Sequence, residues 1–281
     1  MKLKTCIAVL MIVLLALSAS SAEDFTVSGR VNAVMCADKA LEEHYGITLL
    51  LQDYFNRTVE EKDDNVYVVT YEGAENYAYV LGRYEVTVDG SKAASVTWTH
   101  DGEDTKGGFA AEAWGAEQIL EMLRLNQETG VTEPFDGRVD EINKNHGFVY
   151  VPKILTDEES EADWIRTEKE CEEVRNLSSL SVDEMTGIAR RAVASLYGLP
   201  PEREKALESV VDEEELSLWY VIFEGKPCYQ VCFGLDDKEE DDVLPNGLSH
   251  TEKEGNYWVQ INVQTGVVED VYYSAGIGGN G

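Results

Sequence analysis

Histidine is almost missing from this chain: there are 4, at positions 44, 100, 146 and 250, each in a different segment. That leaves no His-Glu-x-x-His zinc helix, and there is no Gly-x-Ser-x-Gly elbow for a serine nucleophile. Basic residues are scarce too, 23 against 54 acidic ones. A surface so short of lysine and arginine is a poor match for nucleic acid or an anionic membrane face, since both need basic patches. A basic protein or a cation suits it better, and solubility outside the cell is the bland alternative. Beyond the first 22 residues no apolar run is long enough to span a bilayer, which takes ~20 residues.

Cysteine is sparse and badly spaced for chemistry. Cys6 precedes the apolar stretch at the start, leaving Cys36, Cys171, Cys228 and Cys232. The last two lie four apart in a stretch that reads as a strand. At ~3.3 Å per residue their Cα atoms would stand ~13 Å apart, beyond the ~7 Å that a disulfide can bridge. The same spacing defeats metal chelation, and no second Cys-x-x-Cys or histidine pair completes a site. Four free thiols follow, with one long-range disulfide as the alternative.

What the chain does have begins with Lys2 and Lys4, an apolar core over 7–17, and small residues at Ser20 and Ala22. This pattern reads as a secretory signal peptide over 1–22, cleaved after Ala22. The mature protein is then expected to be secreted or extracytoplasmic, with no membrane insertion after cleavage. Without Lys2 and Lys4 it carries 21 basic against 54 acidic residues.

The strongest local signal lies at 181–198. Ser181 and Glu184 have the spacing of a capping box. Met185, Ile188, Ala189, Ala192, Val193 and Leu196 then form one apolar helical stripe. Gly198 can close the helix in the left-handed conformation, and Pro200 forbids its continuation. Alternation over 218–224 marks a strand. A shift of 152 positions superimposes residues 37–81 on 189–233 without a gap, placing Tyr45 on Tyr197, Gly46 on Gly198 and Gly73 on Gly225. Further on, Val86, Val88 and Val96 match Ile261, Val263 and Val271 at a shift of 175. An internal duplication is the expectation, with 23 extra residues between Phe233 and Tyr257 in the second copy.

The helix end Ala194-Ser195-Leu196-Tyr197-Gly198-Leu199, the strand 218–223 and the stretch 257–271, with its Asn262-to-Gly266 turn, resemble the PepSY domain family. The resemblance covers about 181–273 and, more loosely, 33–99. It implies a helix laid across an antiparallel sheet. It also implies a role as protease propeptide, protease inhibitor or surface interaction module, and it names no catalytic residues.

Repeat one replaces Leu196 by His44, read as an edge or core histidine, and Ile188 by Cys36, read as a small buried residue. Its strands are expected at 66–72, 77–81, 84–88 and 95–99. In the middle, a helix over 109–127 is followed by an apparent hairpin, 137–142 and 147–151, around a polar turn. A capping box at Thr156 and Glu159 opens an acidic helix to about Asn176, with a thin stripe of Trp164, Cys171 and Val174. This helix is expected to bridge the repeats.

The expectation is therefore an α+β protein of two repeated units, each a helix packed on an antiparallel β-meander, joined by a helix–hairpin–helix segment. The segments are 1–22 signal peptide, 23–101 repeat one, 102–178 connector and 179–281 repeat two. The expected function is a non-catalytic, protein-binding one: a protease inhibitor or regulator of PepSY type, whose partner is a protease or a basic envelope protein. The alternatives are an extracellular hydrolase using carboxylates between the repeats, and a passive envelope component. The candidate binding residues sit in the insertion: Asp236, Asp237, Glu239, Glu240, Asp241 and Asp242. Neither this run nor Asp101-Gly102-Glu103-Asp104 has the spacing of a calcium loop. No cofactor is expected, and calcium binding would be weak and loose at most.

Overall fold

The computed structural model describes residues 25–99 except 48 and 64, 133–210 except 146, 219–235 and 256–274. The signal-peptide assignment, the helix expected over 109–127, the Asp101–Asp104 run and the acidic insertion lie outside them.

The chain is α+β and carries two antiparallel meanders, each preceded by a helix. Strand β1 (Thr26–Val27) leads into helix α1 (Gly29–Tyr45), then β2 (Phe55–Asp63) and β3 (Val66–Gly73). A short helical stretch ending in α2 (Ala78–Leu81) precedes β4 (Arg83–Asp89) and β5 (Lys92–Thr99). The second half holds α3 (Glu133–Asn145), α4 (Asp157–Asn176), α5 (Val182–Leu196), α6 (Pro201–Ala206) and strands β6 (Leu207–Ser209), β7 (Tyr220–Phe223), β8 (Lys226–Leu235), β9 (Asn256–Asn262) and β10 (Val267–Ser274). The first sheet runs β2-β3-β4-β5, and the second runs β1-β10-β9-β8-β6 with β7 also paired to β8. Because β1 pairs in parallel with β10, the start of the described chain is a strand of the second sheet.

Local chemistry explains the helix ends. Both capping boxes form: the Ser181 and Thr156 side chains accept from the third backbone amide of their helices, while Glu184 and Glu159 reach back to the cap amides. Gly46 and Gly198, which follow α1 and α5, both adopt positive φ, 68° and 64°. At the β9–β10 turn the Asn262 side chain accepts from the amides of Gln264 and Thr265 at 3.1 Å each, and Gly266 supplies φ 72°.

Several expectations need correction. Residues 137–142 form part of α3, not a hairpin strand, and 147–151 are a turn and irregular chain without a sheet partner. Val139 and Ile142, the buried pair, stand three apart, which is helical spacing. The expected strand at 77–81 is helical, so the gapless match to 229–233, which lies in β8, fails in the sheets. No strand is expected over β2, whose two apolar residues, Phe55 and Val59, stand four apart and so show no strand alternation. Helix α4 packs on β7 and does not bridge the units. Its Cys171 and Val174 are buried while Trp164 is exposed, and His44 is exposed as well.

Two cores result. α5, β8, β9 and β10 enclose one around Phe233, Val259 and Ile261. The other gathers Tyr71, Tyr84, Val69 and Val86 under α1. α1 belongs to both. Ala33, Val34, Ala37, Ala40 and Leu41 enter the first-sheet core, whereas Val31 and Met35 pack with the second. A Cβ on Gly29 would run into the Tyr67 hydroxyl, so glycine lets the start of α1 lie directly on β3.

Cys36, Cys171, Cys228 and Cys232 are all free, and all but Cys36 are buried. Burial pushes the thiols of Cys228 and Cys232 up to about 12, far from the thiolate needed for reaction. Reductant is expected to leave the melting temperature unchanged, and a thiol reagent should modify these two only on unfolding. A drop of many degrees with reductant would reveal a disulfide worth about 2–4 kcal/mol.

Candidate functional site

The two sheets meet along a seam where long polar side chains replace apolar packing. Arg57 on β2 reaches across to Asp270 on β10, with one terminal nitrogen donating to both carboxylate oxygens at 2.9 and 2.7 Å. Their side chains are only 14% and 5% exposed. Arg30, on the first turn of α1, pairs with Glu224 at 2.8 Å. Its Nε stands 3.9 Å from Asp270, which is ion-pair distance without a hydrogen bond. Both guanidinium groups lie against rings, Arg30 over Phe223 at 5.1 Å and Arg57 over Tyr272 at 5.9 Å.

Each of these groups is placed by its element. Inward and outward positions alternate along β2, and Arg57 takes a half-buried one facing the seam. Glu224 opens the two-residue β7–β8 turn with Gly225, at φ 48° and 77°. Positive φ at both central positions is the geometry of a hairpin turn that matches strand twist. It carries the Glu224 carboxylate to the mouth of the seam. Asp270 lies in β10 next to a register shift between Val268 and Asp270, and such an irregularity re-aims a side chain.

Beneath this layer sits Asp38 on α1, 6% exposed. It shares a stripe with Val31 and Met35 at i, i+4 and i+7, and so falls at the margin between the two cores. The Tyr71 hydroxyl donates to it. Burial raises its carboxyl from the ordinary 3.8 to about 6, opposed by the Arg57 charge and the Tyr71 hydrogen bond and reinforced by Asp270. Burial, then the Asp38 charge, pushes the Tyr71 phenol well above its usual range.

A pocket of about 410 Å³ opens over this cluster. Its charged lining is Arg30, Arg57, Glu224 and Asp270, and its walls include Phe55, Phe223 and Tyr272. Tyr71 lines it and Asp38 does not. One buried donor of a lining residue, Arg30 Nε, has no hydrogen-bond partner among the described residues, whereas the Gln52 side chain is oriented to donate to Asp38. The pocket wall thus offers one unused donor.

The sequence-based candidates Asp236, Asp237, Glu239, Glu240, Asp241 and Asp242 lie outside the described residues. None of the seam residues was among the candidates. Arg57 and Asp270 are 213 positions apart and belong to different units, so no local spacing joins them. Asp38 gave one signal, a carboxylate among Val34, Ala37 and Leu41 on a buried face. Among the described residues no three His, Cys, Asp or Glu side chains converge on a metal position. No described helix is long and apolar enough to cross a membrane.

Asp38 generates a pH prediction. Its folded pKa is raised, so the folded state holds the proton more tightly than the unfolded chain does. The stability linked to it is fully present below about pH 3.8 and is lost as the pH rises through about 6. Asp38→Asn keeps an acceptor for Tyr71 and removes the titration. Relative to wild type it should gain on the order of 2–3 kcal/mol between pH 4 and pH 7, measured by denaturant melts. A difference that does not change with pH would show that Asp38 is ionised at no cost.

No protein-family model and no curated protein sequence matches the chain. Among solved structures, the Bacillus megaterium YpeB C-terminal domain aligns at 9% identity over 89% of this chain and 66% of its own, with a TM-score of 0.20. The chain thus spans just under two thirds of that structure's length. A superposition so loose does not establish a common fold, and the α+β class rests on the elements described above.

Proposed function

We propose that the chain is an exported, non-catalytic binding module of PepSY type, built from two related helix-and-meander units, that holds a segment of a polypeptide partner at the seam. The observation that carries this reading is the pocket itself. Both units contribute its walls, and its charged groups are already tied in fixed pairs, Arg57 to Asp270 and Arg30 to Glu224. Locked pairs beside aromatic walls suit recognition, where polar groups fix orientation and apolar surface supplies affinity. The unused Arg30 Nε favours a ligand that presents an oxygen acceptor, such as a peptide carbonyl or a carboxylate. Relatedness of the units is supported by the positive-φ glycine after α1 and after α5, and by the consecutive strand orders β2-β3-β4-β5 and β7-β8-β9-β10. The protease-regulator role implied by the PepSY resemblance remains one form of this reading.

One observation favours the rival, an extracellular hydrolase using carboxylates between the units: Asp38 is held near 6 and feels the Asp270 charge. A raised carboxyl beside a cleft is how a general acid is made. Against it, Asp38 is covered by Tyr71 and does not line the pocket.

Pooled peptide and glycan libraries offered to the purified protein, with retention and turnover both read by mass spectrometry, separate the two. Peptides should be retained intact, and Phe223→Ala with Tyr272→Ala should weaken retention by about tenfold. Turnover abolished by Asp38→Asn would establish the hydrolase. Retention unchanged by the wall substitutions would place binding away from the seam.

A further inference from the structure

A second surface, remote in sequence from the seam residues, is built in a way that solubility does not explain. Residues 149–155 join α3 to α4 without regular secondary structure, outside any sheet. They expose Val149 by 75%, Val151 by 77% and Ile154 by 85%, the most exposed large apolar side chains among the described residues. Among those residues, no backbone amide of 149–155 donates to another backbone group: the hydrogen bonds stop at Phe148 and resume at Ser160. A backbone with no internal hydrogen bonds that carries β-branched side chains into solvent is ready to pair with or be covered by another chain. The helix that follows continues the pattern, with Trp164 at 55% and Ile165 at 58% exposed.

The charge around this apolar surface has one sign. Glu161, Ile165, Glu168 and Glu172 fall at i, i+4, i+7 and i+11, one outward stripe of α4, and all are exposed. The ion pairs within α4 are Asp163 with Arg166 and Lys169 with Glu173. The three stripe glutamates take part in none among the described residues. An isolated exposed leucine or valine means nothing. Seven exposed large apolar side chains in 17 residues, Val149, Val151, Ile154, Trp164 and Ile165 the most exposed of them, edged by carboxylates outside any ion pair among the described residues, mark an interaction surface.

We propose that the 149–155 segment and the outer face of α4 together bind a basic amphipathic helix of a partner protein. The partner's apolar face would cover Val149, Val151, Ile154, Trp164 and Ile165, and its lysines or arginines would meet Glu161, Glu168 and Glu172. Charge argues against the other occupants. A second copy would bring an identical acidic rim and a net charge of −31, so like would face like. Residues 101–132 carry seven acidic and two basic side chains, the wrong balance to neutralise this rim. The surface is separate from the seam pocket, and the proposal stands or falls without it.

The test titrates the full chain into a labelled Lys/Leu amphipathic peptide of about five helical turns, with its Glu/Leu counterpart as control, reading fluorescence anisotropy. The Lys/Leu peptide should bind and the Glu/Leu peptide should not. Ile154→Ser with Ile165→Ser should weaken binding about tenfold without changing the melting temperature, since both positions are exposed. Glu161→Lys with Glu168→Lys should weaken it mostly at low salt. Serine substitution of the carboxylates from Asp236 to Asp242 should leave the affinity as it was. Equal affinity in both surface variants, equal binding of the two peptides, or loss of binding through the 236–242 substitutions would each overturn the proposal. So would self-association of the chain that Ile154→Ser abolishes, because the occupant would then be a second copy.

Discussion

The buried ion pair between Arg57 and Asp270 is the constraint on which the rest depends. It joins an edge strand of one sheet to an interior strand of the other where the side chains are nearly dry. Removing two charges from water costs several kcal/mol apiece, and mutual attraction offsets this only when geometry and hydrogen bonding are good. Here one guanidinium nitrogen serves both carboxylate oxygens, Tyr272 lies under the guanidinium, and Arg30 adds a second positive charge. Removing either partner leaves a nearly dry charge with weaker compensation, Arg30 for Asp270 and Asp38 for Arg57, so together with α1 the pair sets how the halves meet even if its net contribution to stability is small.

Helix α1 follows from that constraint. It must offer apolar side chains to two sheets and still leave the ion pair room, which is why Ala33, Ala37 and Ala40 dominate its first-sheet face. Asp38 lies where the two faces meet and takes the Tyr71 hydroxyl, while the Arg57 charge limits the cost of burying it. The pocket above is the volume these long polar side chains do not fill. The groups that hold the halves together also line the cavity between them.

Much of the second half was legible. The boxes at Ser181 and Thr156, the stripe on α5 and the Asn262 turn are short-range patterns, and each formed as read. Errors came where periodicity was thin. Two apolar positions in 137–142 were read with a strand period when their spacing of three is helical. The apparent repeat carried a strand into 77–81, where Gly73 and Gly82 bracket a helical detour: a Cβ on Gly73 would meet the Tyr77 carbonyl. The seam was not legible at all, because its partners come from α1, β2, β7 and β10. The run at Asp236–Asp242 lies outside the described residues, and the one local pointer to the seam is the carboxylate of Asp38 on a buried face.

The most direct test of the account is a double-mutant cycle on the seam pair, Arg57→Met and Asp270→Leu singly and together, followed by denaturant unfolding. Each single change should cost up to about 3–5 kcal/mol by leaving the other charge poorly compensated, less for Arg57→Met because Arg30 stays beside Asp270. The double variant should cost much less than the sum, with a coupling of about 2 kcal/mol or more. Additive effects, each below about 0.5 kcal/mol, would contradict the account and leave the two halves held by something other than this pair.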